Sequence, residues 1–305
     1  MQAVAPLMPI LLVFGLAVAL LILDMLSLST RKSWLAWVAA VGFILIGIQT
    51  LNGMGVDAEA AGMPLWISDL LAFDGMAAFF QLLALLSGAL VCLLAVEYVQ
   101  QRMPHFQGEF FALLAVTVAG IMLAVAAKEL LTLYISIELV SITSYILVGY
   151  VRGDKPSSEG GLKYLLYGAA CSAFMLYGIS LIYGLTGTTY LSELQASSNL
   201  SPAMFAAAIF MMVGLGFKIA LVPFHMWSPD VYEGAPTPIT AFLSVTPKLA
   251  GFAALLRVFV VGMEHYAPLW LPVFGLLCAL TMTIGNVVSI PQRNMKRMRA
   301  YTSLS

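Results

Sequence analysis

Runs of about twenty apolar residues follow one another along the whole chain, each long enough to cross the hydrocarbon core of a bilayer as one helix. Nine such runs are readable, at roughly 6–26, 34–52, 72–97, 110–127, 130–150, 162–185, 203–225, 239–262 and 269–290. A bilayer admits only helices and closed barrels, because nothing in it satisfies free backbone groups. A barrel would show alternating segments of about ten residues, and none are present. The sequence therefore predicts an all-α polytopic membrane protein of about nine helices. Composition agrees: 61% of the 305 residues are hydrophobic and 10% charged, against roughly a quarter charged in soluble domains.

The first run lacks the basic leader and small-residue cleavage site of a signal peptide, and it reads as a retained span. Loop charges then orient the bundle. Arg31, Lys32, Arg102, Arg152, Lys155, Lys163, Arg293, Lys296, Arg297 and Arg299 fall after odd-numbered spans, ten of the 14 basic residues. Asp57, Glu59, Asp69, Glu193 and Glu264 fall in the alternate loops, where Lys128 is the clear basic exception. By the positive-inside rule the N-terminus is expected outside a bacterial plasma membrane. Lys128 and Glu129 alone mark the boundary between the fourth and fifth spans.

Cys92, Cys171 and Cys278 each lie within a span, far apart in sequence. They read as small hydrophobes rather than redox or metal groups. No dinucleotide fingerprint, P-loop or cluster-type cysteine spacing occurs, so no cofactor or metal is expected on this chain. Nothing in the composition suggests nucleic acid; the partner it requires is lipid.

Four charges lie inside the spans rather than in loops or in the outermost few residues of a span: Glu138, Lys218, Lys248 and Arg257. An ionisable group at the centre of a span costs roughly 2.5–3.5 kcal/mol on insertion scales, and such groups commonly mark ion pathways. A lysine suits proton transfer, since its pKa moves on burial while a guanidinium does not release its proton. A Glu138–Lys218 pair whose separation can change is thus a tunable proton site. The bland alternative is an inert ion pair that orients helices. Arg257, near the end of its span, either faces the interior or snorkels to the interface.

Each lysine has a helix breaker nearby. Pro223 follows Lys218 by five residues, and Pro247 directly precedes Lys248. A proline frees a carbonyl one turn earlier, and a broken helix is tolerated in lipid only where it is buried or lines a watery cavity. Spans seven and eight are therefore expected to be broken, with Lys218 in a hydrated channel. His225 titrates near neutrality; it either feeds protons toward Lys218 or hydrogen-bonds the turn that follows. Trp227 and Tyr232 are expected in an interfacial belt, and Asp230 and Glu233 in a rigid turn.

The stretches "ALVPFHMWSPDVYEGAPTPITAFLSVTPKLAGF", "ELLTLYISIELVSITSYILVGY" and "GGLKYLLYGAACSAFMLYGISLIYG" closely resemble the antiporter-like subunits of respiratory complex I and the related cation/proton antiporters. The resemblance covers about residues 70–305, and its most specific part is the P-F-H-x-W-x-P-D-x-Y-E-G-A-P-T-P run. It implies proton translocation, with Glu138 as the acid of the fifth span, Lys218 as the lysine of a broken seventh helix and Lys248 on a central hydrophilic axis. It also implies that NADH, FMN, iron–sulfur clusters and quinone sit on partner subunits, so that this chain serves an oxidoreductase without holding a redox centre.

The same resemblance divides the chain into N-terminal helices (1–105), a first antiporter-like repeat (106–262) and the start of a second (263–305). Family members have about fourteen spans, whereas this chain stops where a tenth would begin; a fragment of a longer protein is the expectation. The alternatives are a subunit of a multisubunit Na⁺/H⁺ antiporter or membrane-bound hydrogenase, which share these lysines, and a non-pumping structural subunit.

Overall fold

The computed structural model describes residues 6–27, 32–53, 64–103, 106–194 and 201–304. Arg31, Asp57 and Glu59, used above to orient the bundle, lie outside them. Among the described residues twelve α-helices are seen: α1 (Met8–Leu26), α2 (Trp34–Asn52), α3 (Leu65–Ser68), α4 (Gly75–Arg102), α5 (Gln107–Ala126), α6 (Leu130–Val148), α7 (Lys155–Thr186), α8 (Pro202–Ile219), α9 (Ser228–Gly234), α10 (Thr237–Leu255), α11 (Ala267–Ser289) and α12 (Met295–Thr302). A π-helical stretch, Leu256–Gly262, prolongs α10. Nine helices among the described residues are long and apolar enough to cross a membrane, which matches the expected number and makes the chain a multi-pass membrane protein.

The helix ends follow local chemistry. Asp74, Glu129, Asp154, Ser201 and Asn294 cap α4, α6, α7, α8 and α12 by accepting from backbone N–H groups of the first turn, which would otherwise be left without partners. The boundary between the fourth and fifth spans is sharp. Lys128 and Glu129 leave the helix there: Lys128 Nζ donates to the Ser68 carbonyl at 2.8 Å and Glu129 takes the cap position of α6.

Of the nine spans, α5 is the most completely enclosed by protein. It packs against α1, α4, α6 and α10, so it is apolar all round and shows no amphipathic stripe. By contrast α1, α7 and α11 leave much of their surface outward, where Leu, Ile and Phe side chains suit a lipid environment. Lipid tails are as apolar as these side chains, so close packing rather than hydrophobic burial holds the helices together.

The end of the bundle rich in basic residues is tied by polar contacts. Lys163 pairs with Asp230 at 2.6 Å, and Arg297 with Asp230 at 3.0 Å and with Glu233 at 2.7 Å. These join α7, α9 and α12. The Lys163 hydrogen bond holds the Asp230 carboxyl below its ordinary value. Asp230 and Glu233 lie in the short helix α9 rather than in the expected turn, and their ion pairs tie it to α7 and α12.

Candidate functional site: a buried lysine at a helix break

The break in the seventh span falls at α8's last turn. α8 ends at Ile219, the residue whose carbonyl a helical N–H at position 223 would have bonded; Pro223 has no such N–H. Ala220 takes a left-handed φ of 59°. Leu221 N–H then bonds Gly216 O at 2.7 Å and Ala220 N–H bonds Phe217 O at 3.1 Å. This is the pairing of a Schellman close, with alanine where glycine is usual. The chain crosses to α9 through an irregular linker, residues 220–227.

Side chains take up two of the polar groups at the break. Val222 N–H donates to Thr281 Oγ1 of α11 at 3.0 Å, and Trp227 Nε1–H donates to Phe217 O at 3.1 Å. Non-helical backbone at membrane depth is tolerated on these terms. Trp227 and Tyr232 are accordingly not in an interfacial belt. They are 1% and 0% exposed, because their N–H and O–H groups serve freed carbonyls inside the bundle. Trp227 stacks on Tyr164 with centroids 4.4 Å apart.

Lys218 sits in the last turn of α8, where the carbonyl end of the helix favours a cation. It is 3% exposed, and its Nζ finds no hydrogen-bond partner among the described residues. Glu138 of α6 acts on it electrostatically, but the two form no ion pair. Glu138 instead accepts a 2.6 Å hydrogen bond from Ser172 of α7, whose Oγ is also 3.0 Å from the Tyr134 hydroxyl. The acid and the lysine are thus brought to one region yet held apart.

Lys248 is 6% exposed. It lies on the face of α10 that also carries Gly251, three residues on, and a Cβ on Gly251 would come within 3.1 Å of Lys218 Cβ. Its Nζ donates to the Ser303 carbonyl and, at 3.0 Å, to Ser303 Oγ at the end of α12. The eighth span, expected to be broken beside Lys248, is not broken at Pro247. α10 continues through that residue, and its irregular part is the π-helical stretch after Leu255. The carbonyl that Pro247 frees belongs to Leu243, and Tyr232 O–H donates to it at 3.2 Å. One hydroxyl thus allows the helix to stay whole.

His225 lies in the linker near the Pro223 carbonyl, with its buried Nδ1 making no hydrogen bond of good geometry. Arg257 does not snorkel. It is 6% exposed, donates to Val125 O at 2.6 Å, and makes a two-bond pair with Asp74 at 2.8 and 3.1 Å. With Asp69, Asp74, Lys128 and Glu193 it lines a cavity of about 540 Å³ at the opposite end of the bundle from Lys163. Replacing Arg257 by Met is expected to lower stability by about 2 kcal/mol, less than a fully buried pair because Asp74 is half exposed. A thermal melt of the purified variant checks this, and an unchanged midpoint would contradict it.

Sequence reasoning did not find Ser172, Tyr145 or Ser303. Tyr145 had a signal, seven residues after Glu138 and hence on the same helical face. Ser172 and Ser303 had none, since helix packing alone brings them near Glu138 and Lys248. Cys92, Cys171 and Cys278 are free thiols. Among the described residues no group of His, Cys, Asp and Glu could hold a metal ion.

Residues 127–305 match the sequence model of the family described as "NADH:quinone oxidoreductase/Mrp antiporter, TM". The chain is 47% identical over 271 residues to NADH-quinone oxidoreductase subunit N of Heliobacterium modesticaldum, covering 88% of this chain and 56% of that protein. It is 38% identical over 303 residues to the subunit N of Trichlorobacter lovleyi, covering 98% and 61%. A chain of respiratory complex I from Thermus thermophilus superposes with a TM-score of 0.77 at 32% identity, covering 97% of this chain and 61% of that one. A chain of an archaeal membrane-bound sulfane sulfur reductase gives 0.79 at 23% identity, a likeness of fold alone. The chain thus spans about three-fifths of the length of these relatives.

Proposed function

Because the chain belongs to the NADH:quinone oxidoreductase/Mrp antiporter membrane family, we propose that it is proton-translocating membrane machinery of a redox-driven NADH:quinone oxidoreductase. The single observation that carries this reading is Lys218: a buried ammonium at a helix break, acted on by Glu138 and with no hydrogen bond or ion pair among the described residues. A structural charge would be paired, since an unpaired one is costly in a membrane. A charge that must gain and lose its proton is better left without a permanent partner.

In this reading Glu138, Lys218 and Lys248 pass the proton, and His225 lies beside the path. Pro223 and Pro247 free the carbonyls that make the region polar. Lys248 lies beyond the Gly251 contact, held by Ser303, where the next transfer would occur. The division into N-terminal helices (1–105), a first repeat (106–262) and the start of a second (263–305) is part of the same proposal. So is an N-terminus outside a bacterial plasma membrane, which the basic loops favour.

The relatives are named as subunits of an NADH-quinone oxidoreductase, which supports electron transfer in a larger complex. Other membrane and peripheral subunits would be partners there, and they would hold NADH, FMN, iron–sulfur clusters and quinone, this chain having no redox centre of its own. Glu138→Gln tests the reading. In the full-length protein in native membranes, NADH-driven proton uptake is expected to fall several-fold while subunit abundance stays constant. Undiminished pumping would remove Glu138 from the path. Sodium-stimulated transport without a redox donor would favour the antiporter alternative instead.

A further inference from the structure

The immediate surroundings of the Lys218 ammonium are aromatic. Its Nζ lies 5.8 Å from the centroid of Phe217 and 6.0 Å from that of Tyr145. Phe217 is its chain neighbour, so that contact follows from connectivity. Tyr145 comes from another helix, and two built features put it there.

The first is the period of α6. Tyr145 follows Glu138 by two turns, so both point to the face that meets α7 and the end of α8. The second is Gly168 of α7. A Cβ at that position would stand 1.8 Å from the Tyr145 hydroxyl oxygen and 2.6 Å from its Cζ. The missing methyl leaves a notch that the Tyr145 ring fills, with Phe217 Cζ beside it at 3.1 Å from the same point.

The ring is braced from the side as well. Tyr164 meets it edge to face at 4.7 Å, and Tyr164 is itself fixed by the Trp227 stack. Tyr145 also borders a cavity of about 670 Å³ between α5, α6 and α7, lined among others by Glu109 and Arg152. It is therefore in contact with Lys218 and with that space.

We infer that Tyr145 is a positioning residue for Lys218, its ring holding the ammonium in place and walling it from the cavity, with Gly168 supplying the room it needs. The inference rests on the reading of Lys218 as a proton site. A ring face attracts the charged form of lysine while offering no lone pair to take the proton, so the side chain is held without being discharged. Other titratable groups on the elements around Lys218 include Glu138 and Tyr134 on α6, Tyr164, Tyr167 and Cys171 on α7, His225 in the linker, Lys248 on α10 and Cys278 on α11.

Proton pumping against pH, measured on the full-length protein in native membranes, tests the inference. Tyr145→Phe keeps the ring and is expected to pump as the parent does. Tyr145→Leu removes it, and Gly168→Ala pushes it aside. Both should pump several-fold more slowly. Without the ring the charged form is less favoured and Lys218 loses its proton at lower pH. The alkaline limb of the profile should then move down by about one pH unit. Tyr145→Met serves where Leu does not assemble.

Parental rates and pH limb in the Leu (or Met) and Ala variants, with Lys218→Met inactive, would overturn the role of Tyr145 and leave the proton site standing. Pumping in Lys218→Met would overturn the proton site beneath it. A Phe variant as impaired as the Leu variant would show the hydroxyl, not the ring, to be the acting group.

Discussion

Lys218→Met is expected to abolish coupled proton transfer while the protein still assembles, a loss of about tenfold or more, equivalent to roughly 1.4 kcal/mol or more in the transfer barrier. The separation of function from stability is what makes the variant informative. Lys218 is 3% exposed and its Nζ has no hydrogen-bond acceptor among the described residues. Burying such a group costs free energy, and replacing it with an apolar side chain of similar length removes that cost. The melting midpoint should therefore hold or rise. An inert structural lysine would behave in the opposite way, with pumping kept and stability lost. Lys218→Arg sharpens the test, because a guanidinium retains the charge but does not release its proton. It is expected to fail as the Met variant does. Coupled pumping at the parental rate in Lys218→Met would remove this residue from the path.

Gly234→Ala is expected to give the largest loss of stability. A Cβ at residue 234 would lie 2.2 Å from the Pro156 carbonyl oxygen and 2.9 Å from its carbon. Both are backbone atoms at the start of α7, so no side chain can turn aside, and α9 must lift off. Overpacking of this kind costs about 1–3 kcal/mol, and a clash with backbone lies at the upper end. The effect would not stop at α9. Tyr232, two residues earlier, serves the carbonyl freed by Pro247 and touches Ser303, which holds Lys248. A lower melting midpoint and slower pumping should appear together in one variant. A parental melting curve would show that the close approach of α9 to α7 is not needed.

The two predictions differ in what made them possible. Lys218 was visible in the chain because a charge in an apolar run has no local excuse, and Pro223 five residues later announced the break. The Gly234 constraint was not visible, although the glycine stood within the most distinctive motif. Its meaning depends on Pro156, nearly eighty residues away. Trp227 and Tyr232 show the same limit from the other side. Their chemistry, an apolar body with a polar tip, fits a membrane interface as well as a buried helix break. Only the position of the Phe217 and Leu243 carbonyls chose between them. Arg257 was equally balanced between snorkelling and pairing, until Asp74 was found opposite it.

Pro247 is the instructive partial case. A proline inside a span was expected to break it, and the eighth span is irregular. The freed carbonyl, however, is satisfied by a side chain, so the helix runs on and its distortion falls a turn or more later. Local sequence reports that a donor is missing; it does not report who replaces it.

The chain by itself determined the all-helical membrane class, the number of spans, most of their boundaries and the three lysine and glutamate positions that lipid would not tolerate without cause. These follow from length, apolarity and charge, which act locally and need no partner. Only the tertiary structure decided that Glu138 bonds Ser172 rather than Lys218, that Lys248 bonds Ser303, and that a tyrosine ring seated in a glycine notch stands beside the free ammonium. Those outcomes are set by which helix faces meet, and in a uniformly apolar chain the faces carry almost no periodic signal to say so.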